Sequence, residues 1–390
     1  MILRTAMKFA STSFNNSIKK RYNPMCPFLN KKLFKQNISC SYSIHHDLPS
    51  KVLELYEGIK MKDRYCLAKA ITLVESIRKD HKTQAQQLLS LILDTRHERA
   101  KETGDSISTF RIGLSGPPGV GKSTFIERFG MYVLSQGHRV AVLAVDPSSL
   151  KTGGSIMGDK TRMPELSQQD NAYIRPSASH GTLGGVTRNT NEALILCEAA
   201  GYDVCLVETV GVGQSETMVA EMVDMFVLMV PPAGGDEIQG LKKGIVEISD
   251  LIVVNKSDGV FASAAREAVT EYTSALKYLH PSSPFWQPRV IKVSAKTNSG
   301  LDESWKFMQD YYNIMKSSNE LYKRRGKQRK LWMWRQITSE LLDRLNSDKE
   351  IRNLVDELEQ KVFHGEITSG IAADYVVDNF THKYNVTKTN

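Results

Sequence analysis

Several stretches of this chain carry residue types, at particular spacings, that suit chemistry on a triphosphate. Gly116, Pro117, Pro118, Gly119, Val120, Gly121, Lys122 and Ser123 follow the pattern G-x-x-x-x-G-K-[ST] and run on into Thr124. Glycines there let backbone N–H groups close around phosphate oxygens. Lys122 places a point charge on the β- and γ-phosphates, and Ser123 offers a hydroxyl to Mg²⁺. Lys122 is accordingly a catalytic candidate, and nucleotide-binding candidates extend from Gly116 through Thr124.

Two later segments address the base. Asn255, Lys256, Ser257 and Asp258 follow an apolar run, and the Asp258 carboxylate suits the N1–H and exocyclic amine of guanine. Adenine has neither donor on that edge and would leave the carboxylate unpaired, so guanine is the expected base. The Lys256 stem would lie along the purine face, and Asn255 would tie its loop to the phosphate loop. Ser294, Ala295 and Lys296, after another apolar run, resemble the second guanine loop of GTPases.

Three carboxylates stand in polar, glycine-rich surroundings. Glu208 opens Glu208, Thr209, Val210, Gly211, where small GTPases carry D-x-x-G. Its longer reach suits either Mg²⁺ through water or orientation of the attacking water. Asp146 ends an apolar run and reads as a metal ligand and catalytic carboxylate or as a turn cap. Asp159 reads as a metal ligand or a solvated loop acid. Catalytic candidates are thus Lys122, Asp146 and Glu208, and metal candidates are Ser123, Asp146, Asp159 and Glu208. Glycines at 153–154, 181–185, 211–213 and 234–235 predict switch loops, with Gln214 the one glutamine close after Gly211. Slow intrinsic hydrolysis, accelerated by a partner, is the expectation.

These motifs need a scaffold, and the hydrophobic pattern supplies one. Short β-branched runs at 111–115, 140–145, 204–207, 225–230, 251–254 and 290–293 alternate with helix-length segments. That pattern predicts parallel strands buried on both faces of an α/β sheet, with ligands outside their carboxyl ends. A helix is predicted over 124–134. Helical periodicity fills 49–102, through Leu67, Ala70, Ile71 and Val74, then Ala85, Leu88, Leu89 and Ile92, and returns after about residue 300. A last helix is predicted to start near Ser369. The basic stretch 323–330 reads either as a solvated turn or as an assembly surface.

The formal charge of +8 is local: residues 1–46 hold eight Lys or Arg and no acid, leaving the remainder formally neutral. A nucleic-acid partner is not implied. The acid-free leader, rich in Ser, Asn and Lys, is the pattern of an organellar transit peptide, and mitochondrial import is the favoured reading. Five cysteines without C-x-x-C spacing signal neither zinc nor a disulfide framework. No run approaches the ~20 apolar residues that span a bilayer, so no membrane partner is expected.

Longer motifs carry a resemblance over nearly all of the chain after the leader. Residues 146–149, 153–163, 181–188, 208–216 and 235–243 resemble the methylmalonyl-CoA mutase-associated GTPases, the MeaB, ArgK and mitochondrial MMAA type. The resemblance implies an α/β P-loop NTPase (SIMIBI-class GTPase-like) fold, a mostly parallel sheet flanked by helices with helical N-terminal and C-terminal extensions. It implies GTP hydrolysis to GDP, a homodimer formed through C-terminal helices, and methylmalonyl-CoA mutase as a partner whose adenosylcobalamin loading and protection the GTPase gates. It places Asp146, Asp159 and Glu208 in the Mg²⁺ and catalytic region and makes 231–243 a switch. No cobalamin site of the chain's own is identified. The expected organisation is a leader over 1–46, a helical segment over 47–104, a GTPase domain over 105–315 and a dimerisation segment over 316–390, in the mitochondrial matrix. A P-loop kinase, as the ArgK label suggests, and a metal-delivery GTPase are the alternatives.

Overall fold

Strands whose every residue is apolar or small need cover on both faces, and this requirement sets the architecture. The structure, a computed structural model, describes residues 48–76, 78–105, 107–145, 163–175, 183–209, 214–232, 243–279, 281 and 283–386. Helices α1 (Ser50–Lys60), α2 (Arg64–Glu75) and α3 (Lys79–Thr103) lead into β1 (Phe110–Ser115), α4 (Lys122–Ser135) and β2 (Val140–Val145). Then come α5 (Pro164–Ser167), β3 (Ala172–Arg175), α6 (Leu183–Ala199), β4 (Val204–Thr209), α7 (Gln214–Ala220), β5 (Met225–Val230) and α8 (Lys243–Glu247). The chain continues through β6 (Leu251–Val254), α9 (Ala262–Leu276), β7 (Arg289–Lys292) and α10 (Leu301–Ser317). It closes with α11 (Glu320–Ser347), α12 (Lys349–Phe363) and α13 (Ser369–Val386).

The seven strands form one sheet in the order β3-β2-β4-β1-β5-β6-β7, every neighbouring pair parallel. This is the parallel α/β sheet expected from the alternating runs. β1, β2, β4, β5 and β6 are buried throughout, whereas the edge strand β7 is partly exposed. Side chains alternate across β1. Phe110, Ile112 and Leu114 join Phe125, Ile126 and Phe129 of α4 and Trp305 and Met308 of α10 in one buried cluster. On the opposite face α6 lies against β2 and β4, and α7 against β1, β4 and β5. The helical extension α1–α3 packs mainly on α6 and reaches the sheet edge where Glu75 of α2 pairs with Arg175 of β3.

β3 was not foreseen, because four residues at a sheet edge leave too short a period-2 pattern to read. The N-terminal helical stretch is three helices. Lys62 adopts φ 62° between the first two, and Asp63 caps α2 by accepting from the Tyr65 amide at 2.8 Å. No described helix is long and apolar enough to cross a membrane.

Successive strands leave β1 toward β2 and β3 on one side and toward β5, β6 and β7 on the other. Its carboxyl end is therefore where the wiring reverses, the place where open α/β sheets hold ligands. The G-x-x-x-x-G-K-S loop begins there.

Candidate functional site

The turn from β1 into α4 is possible only with glycine at its tightest points. Gly121 has φ 95°, and a Cβ on it would meet Asn255 Nδ2 at 2.7 Å. A Cβ on Gly116 would meet the Met229 carbonyl oxygen at 2.3 Å, so β5 also demands glycine. Side chains converge on the loop's carbonyls. Lys122 Nζ donates to Gly116 O at 2.6 Å and Pro117 O at 3.2 Å, Lys256 Nζ to Gly119 O at 2.7 Å, and Asn255 Nδ2 to Val120 O at 2.9 Å. With those carbonyls engaged, the first N–H groups of α4, which have no intrahelical acceptor, are the donors left for an anion.

The loops after β6 and β7 are bound to each other and to the phosphate loop. Asn255 is buried, and its Oδ1 accepts from the Ala295 amide at 3.3 Å while its Nδ2 holds Val120. Lys256 reaches the phosphate loop with φ 61°, a strained value for a side-chain-bearing residue. Ser294 Oγ donates to Asp258 Oδ1 at 2.6 Å and accepts from the Thr297 amide at 3.2 Å. Asp258 is thereby held on the same side of the sheet as the phosphate loop, and Lys296 stays exposed.

At the carboxyl end of β4, Glu208 is buried and its Oε1 accepts from Ser123 Oγ at 3.1 Å. Two hard oxygens at this separation fit a divalent cation. Of the sequence candidates, the structure brings together Gly116 through Ser123, Glu208, Asn255, Lys256, Asp258, Ser294 and Ala295. Thr124 follows on the first turn of α4, exposed. Asp146, Asp159 and the glycine loops at 153–154, 211–213 and 234–235 lie outside the described residues, as do the leader and most of 231–243.

This geometry agrees with what the chain is similar to. Residues 67–350 match the model of the family "Methylmalonyl Co-A mutase-associated GTPase MeaB". The chain belongs to this family. It is a P-loop GTPase, and its relatives are spread across kingdoms. The mouse protein "Methylmalonic aciduria type A homolog, mitochondrial" is 52% identical over 330 residues, 85% of this chain and 80% of that one. The Escherichia coli "GTPase ArgK" is 45% identical over 297 residues, 76% of this chain and 87% of that one. Among solved structures, "LAO/AO transport system kinase" matches with a TM-score of 0.67 at 34% identity, covering 86% of this chain and 99% of that one.

Two networks of polar residues in this family member were not foreseen from the sequence. Ser115, Thr209 and Glu216 are buried beneath the phosphate loop and bonded to one another. A hydroxyl residue closing each of the two strands was the available signal. The other group lies at the opposite, amino end of the sheet. Arg325 donates to Asp224 at 2.7 and 2.6 Å and to the Thr109 carbonyl at 2.7 Å, and lies 3.3 Å from Glu198. Arg111 and Arg96 meet the same Glu198 at 2.7 and 2.9 Å. Burial alone would raise the Glu198 pKa, but Arg111, Arg325 and Arg96 outweigh it and hold it at about 2. Arg324 pairs with Asp250 at 3.1 Å and donates to Tyr311 Oη at 2.6 Å. The basic stretch 323–330 is thus neither wholly a solvated turn nor wholly a surface: Arg325 and Gln328 are buried in it.

Proposed function

We propose that the chain is a Mg²⁺-dependent GTP hydrolase acting as a G-protein chaperone that gates adenosylcobalamin loading and protects or reactivates methylmalonyl-CoA mutase. The observation that carries the nucleotide half is Asn255, which joins the phosphate loop, through Val120, to the second base loop, through Ala295. One molecule must then satisfy both, its base on Asp258 and its phosphates on the loop ending at Lys122 and Ser123. The family, defined as mutase-associated, supports the partner half.

The chain's own residues divide the work. Lys122 exchanges the Gly116 and Pro117 carbonyls for the β- and γ-phosphates, the Lys256 stem flanks the purine, and Asp258 accepts from the guanine edge. Ser123 and Glu208 would hold Mg²⁺, joined on sequence grounds by Asp146 and Asp159. When bound, the ion neutralises charge on the β- and γ-phosphate oxygens. Glu208 would also orient the attacking water.

The finer architecture belongs to the same reading. Trp334, Leu341, Leu342, Phe363, Ile371 and Tyr375 expose large apolar surface on α11–α13, which supports a homodimer formed through 316–390. The segments 47–104 and 105–315 are the helical extension and GTPase domain. Residues 1–46 direct the protein to the mitochondrial matrix, in keeping with the mitochondrial relatives.

The deciding experiment is GTP turnover with and without purified mutase, alongside co-sedimentation of the two. Acceleration by the mutase and a nucleotide-dependent complex are expected. A rate indifferent to the mutase with no complex would remove the chaperone role and leave the GTPase intact. A kinase reading is favoured only by the name that the 34% identical solved structure carries. Counting phosphate released to water against phosphate transferred to an acceptor separates it.

A further inference from the structure

β1 and β4, adjacent in the sheet, each end in a hydroxyl residue, and these two hydroxyls touch. Thr209 Oγ1 donates to Ser115 Oγ at 3.0 Å, and Ser115 Oγ donates to Glu216 Oε1 at 3.2 Å. All three residues are buried, Ser115 and Thr209 completely. Glu216 Oε1 accepts at the end of this chain, and the two hydroxyls donate in sequence toward it.

Each hydroxyl residue is the immediate neighbour of a site residue. Ser115 precedes Gly116, whose carbonyl accepts from Lys122 at 2.6 Å, and Thr209 follows Glu208, which accepts from Ser123 at 3.1 Å. Glu216 belongs to α7, a helix that touches β1, β4 and β5 and is anchored farther along by fully buried Val219. One carboxylate therefore ties this helix to the two strand ends that carry Lys122's partner and Glu208.

We propose that Glu216 is a positioning residue for GTP hydrolysis, holding the ends of β1 and β4 in the register that aligns Lys122 and Glu208. This rests on the GTPase reading, and adds to it a residue outside the proposed nucleotide and metal ligands. Glu216→Gln keeps the size but replaces one carboxyl oxygen with an amide that donates, which disturbs the chain where it meets Ser115.

The test is steady-state GTP hydrolysis by the full chain, with GDP affinity, Mg²⁺ dependence and the melting temperature of the GDP-bound protein measured in parallel. For Glu216→Gln, kcat is expected to fall about tenfold with KM and GDP affinity within about threefold of wild type, and the Mg²⁺ midpoint to rise. Ser115→Ala breaks the same chain from its middle and should give a similar loss, with the double substitution no worse than either alone. Unchanged kcat and Mg²⁺ midpoint in Glu216→Gln would overturn the proposal. So would losses that simply track the melting temperature, or full additivity of the two substitutions. If Glu216→Gln fails to fold, Ser115→Ala and Thr209→Val decide by the same criteria. A wild-type chain inert toward GTP in this assay would instead overturn the GTPase reading.

Discussion

The two ends of the sheet hold their polar groups in opposite ways. At the carboxyl end Lys122 and Lys256 donate to backbone carbonyls of the phosphate loop, neutral acceptors that a triphosphate or a purine can replace. At the amino end Arg325, Arg111 and the half-buried Arg96 surround the buried Glu198 side chain, and Arg325 also grips the buried Asp224. Removing one partner there strands a charge in a poorly solvated place. The first end is arranged for exchange. The second end fixes α11, and with it the C-terminal helices, to the strands.

The sharpest way to break this comparison is to substitute one charge at each end. Lys122→Ala should lower GTP hydrolysis by roughly a hundredfold or more, since a point charge on the transferring phosphate is lost, while chemical denaturation midpoints stay near wild type. Glu198→Gln should do the reverse, costing about 3–5 kcal/mol in urea unfolding with GTP affinity nearly kept. Its pH dependence is defined by sign. The folded pKa of about 2 lies below the ordinary 4.5, so the Glu198 contribution is fully present above the unfolded value and is lost as pH falls through 4.5 toward 2. Wild type should therefore lose stability over that acid range more steeply than Glu198→Gln. Equal steepness would mean the arginines do not hold the carboxylate.

The exchanging end was largely legible in the sequence, and the fixed end was not. A phosphate loop is written in contiguous residues, because the backbone itself is the ligand, and the runs at 140–145, 225–230 and 251–254 match β2, β5 and β6 residue for residue. The Asn255 tie was foreseen because the base loop must meet the phosphate loop. By contrast Arg96, Arg111, Glu198, Asp224 and Arg325 come from five separated segments, each polar residue ordinary in its own window. Their charge balance exists only after α3, α6 and α11 have been brought together. Thr209 and Glu216 lie in the 208–216 motif, but their link to Ser115 escaped for the same reason, since only parallel pairing of β1 with β4 puts the strand ends side by side.

A smaller effect is expected where the exchanging end reads the base. Asp258 accepts from Ser294 through Oδ1, and its carboxylate is the group proposed to pair with guanine. Asp258→Ala should weaken GTP about ten- to a hundredfold, the range for losing hydrogen bonds to a charged acceptor. ATP, which makes no such pair, should change little. Calorimetric titration with both nucleotides measures the ratio, and an equal loss for ATP would show the residue to be a loop support rather than a base reader.

The smallest effect isolates burial from charge pairing as the source of the amino end's strength. Arg344 and Glu340 form an ion pair at 3.1 Å on α11, the same helix that carries Arg325, but with side chains 61% and 49% exposed. Water already solvates both groups, and screening and side-chain entropy offset most of the attraction. Arg344→Gln should therefore move the melting temperature by no more than about one degree. Arg325→Gln, one charge on the same helix, should lower it by many degrees because Asp224 and Glu198 lose a partner they cannot replace with water. Comparable shifts for the two substitutions would mean that α11 is held by its ion pairs in general, and that the buried network has no special hold on the sheet.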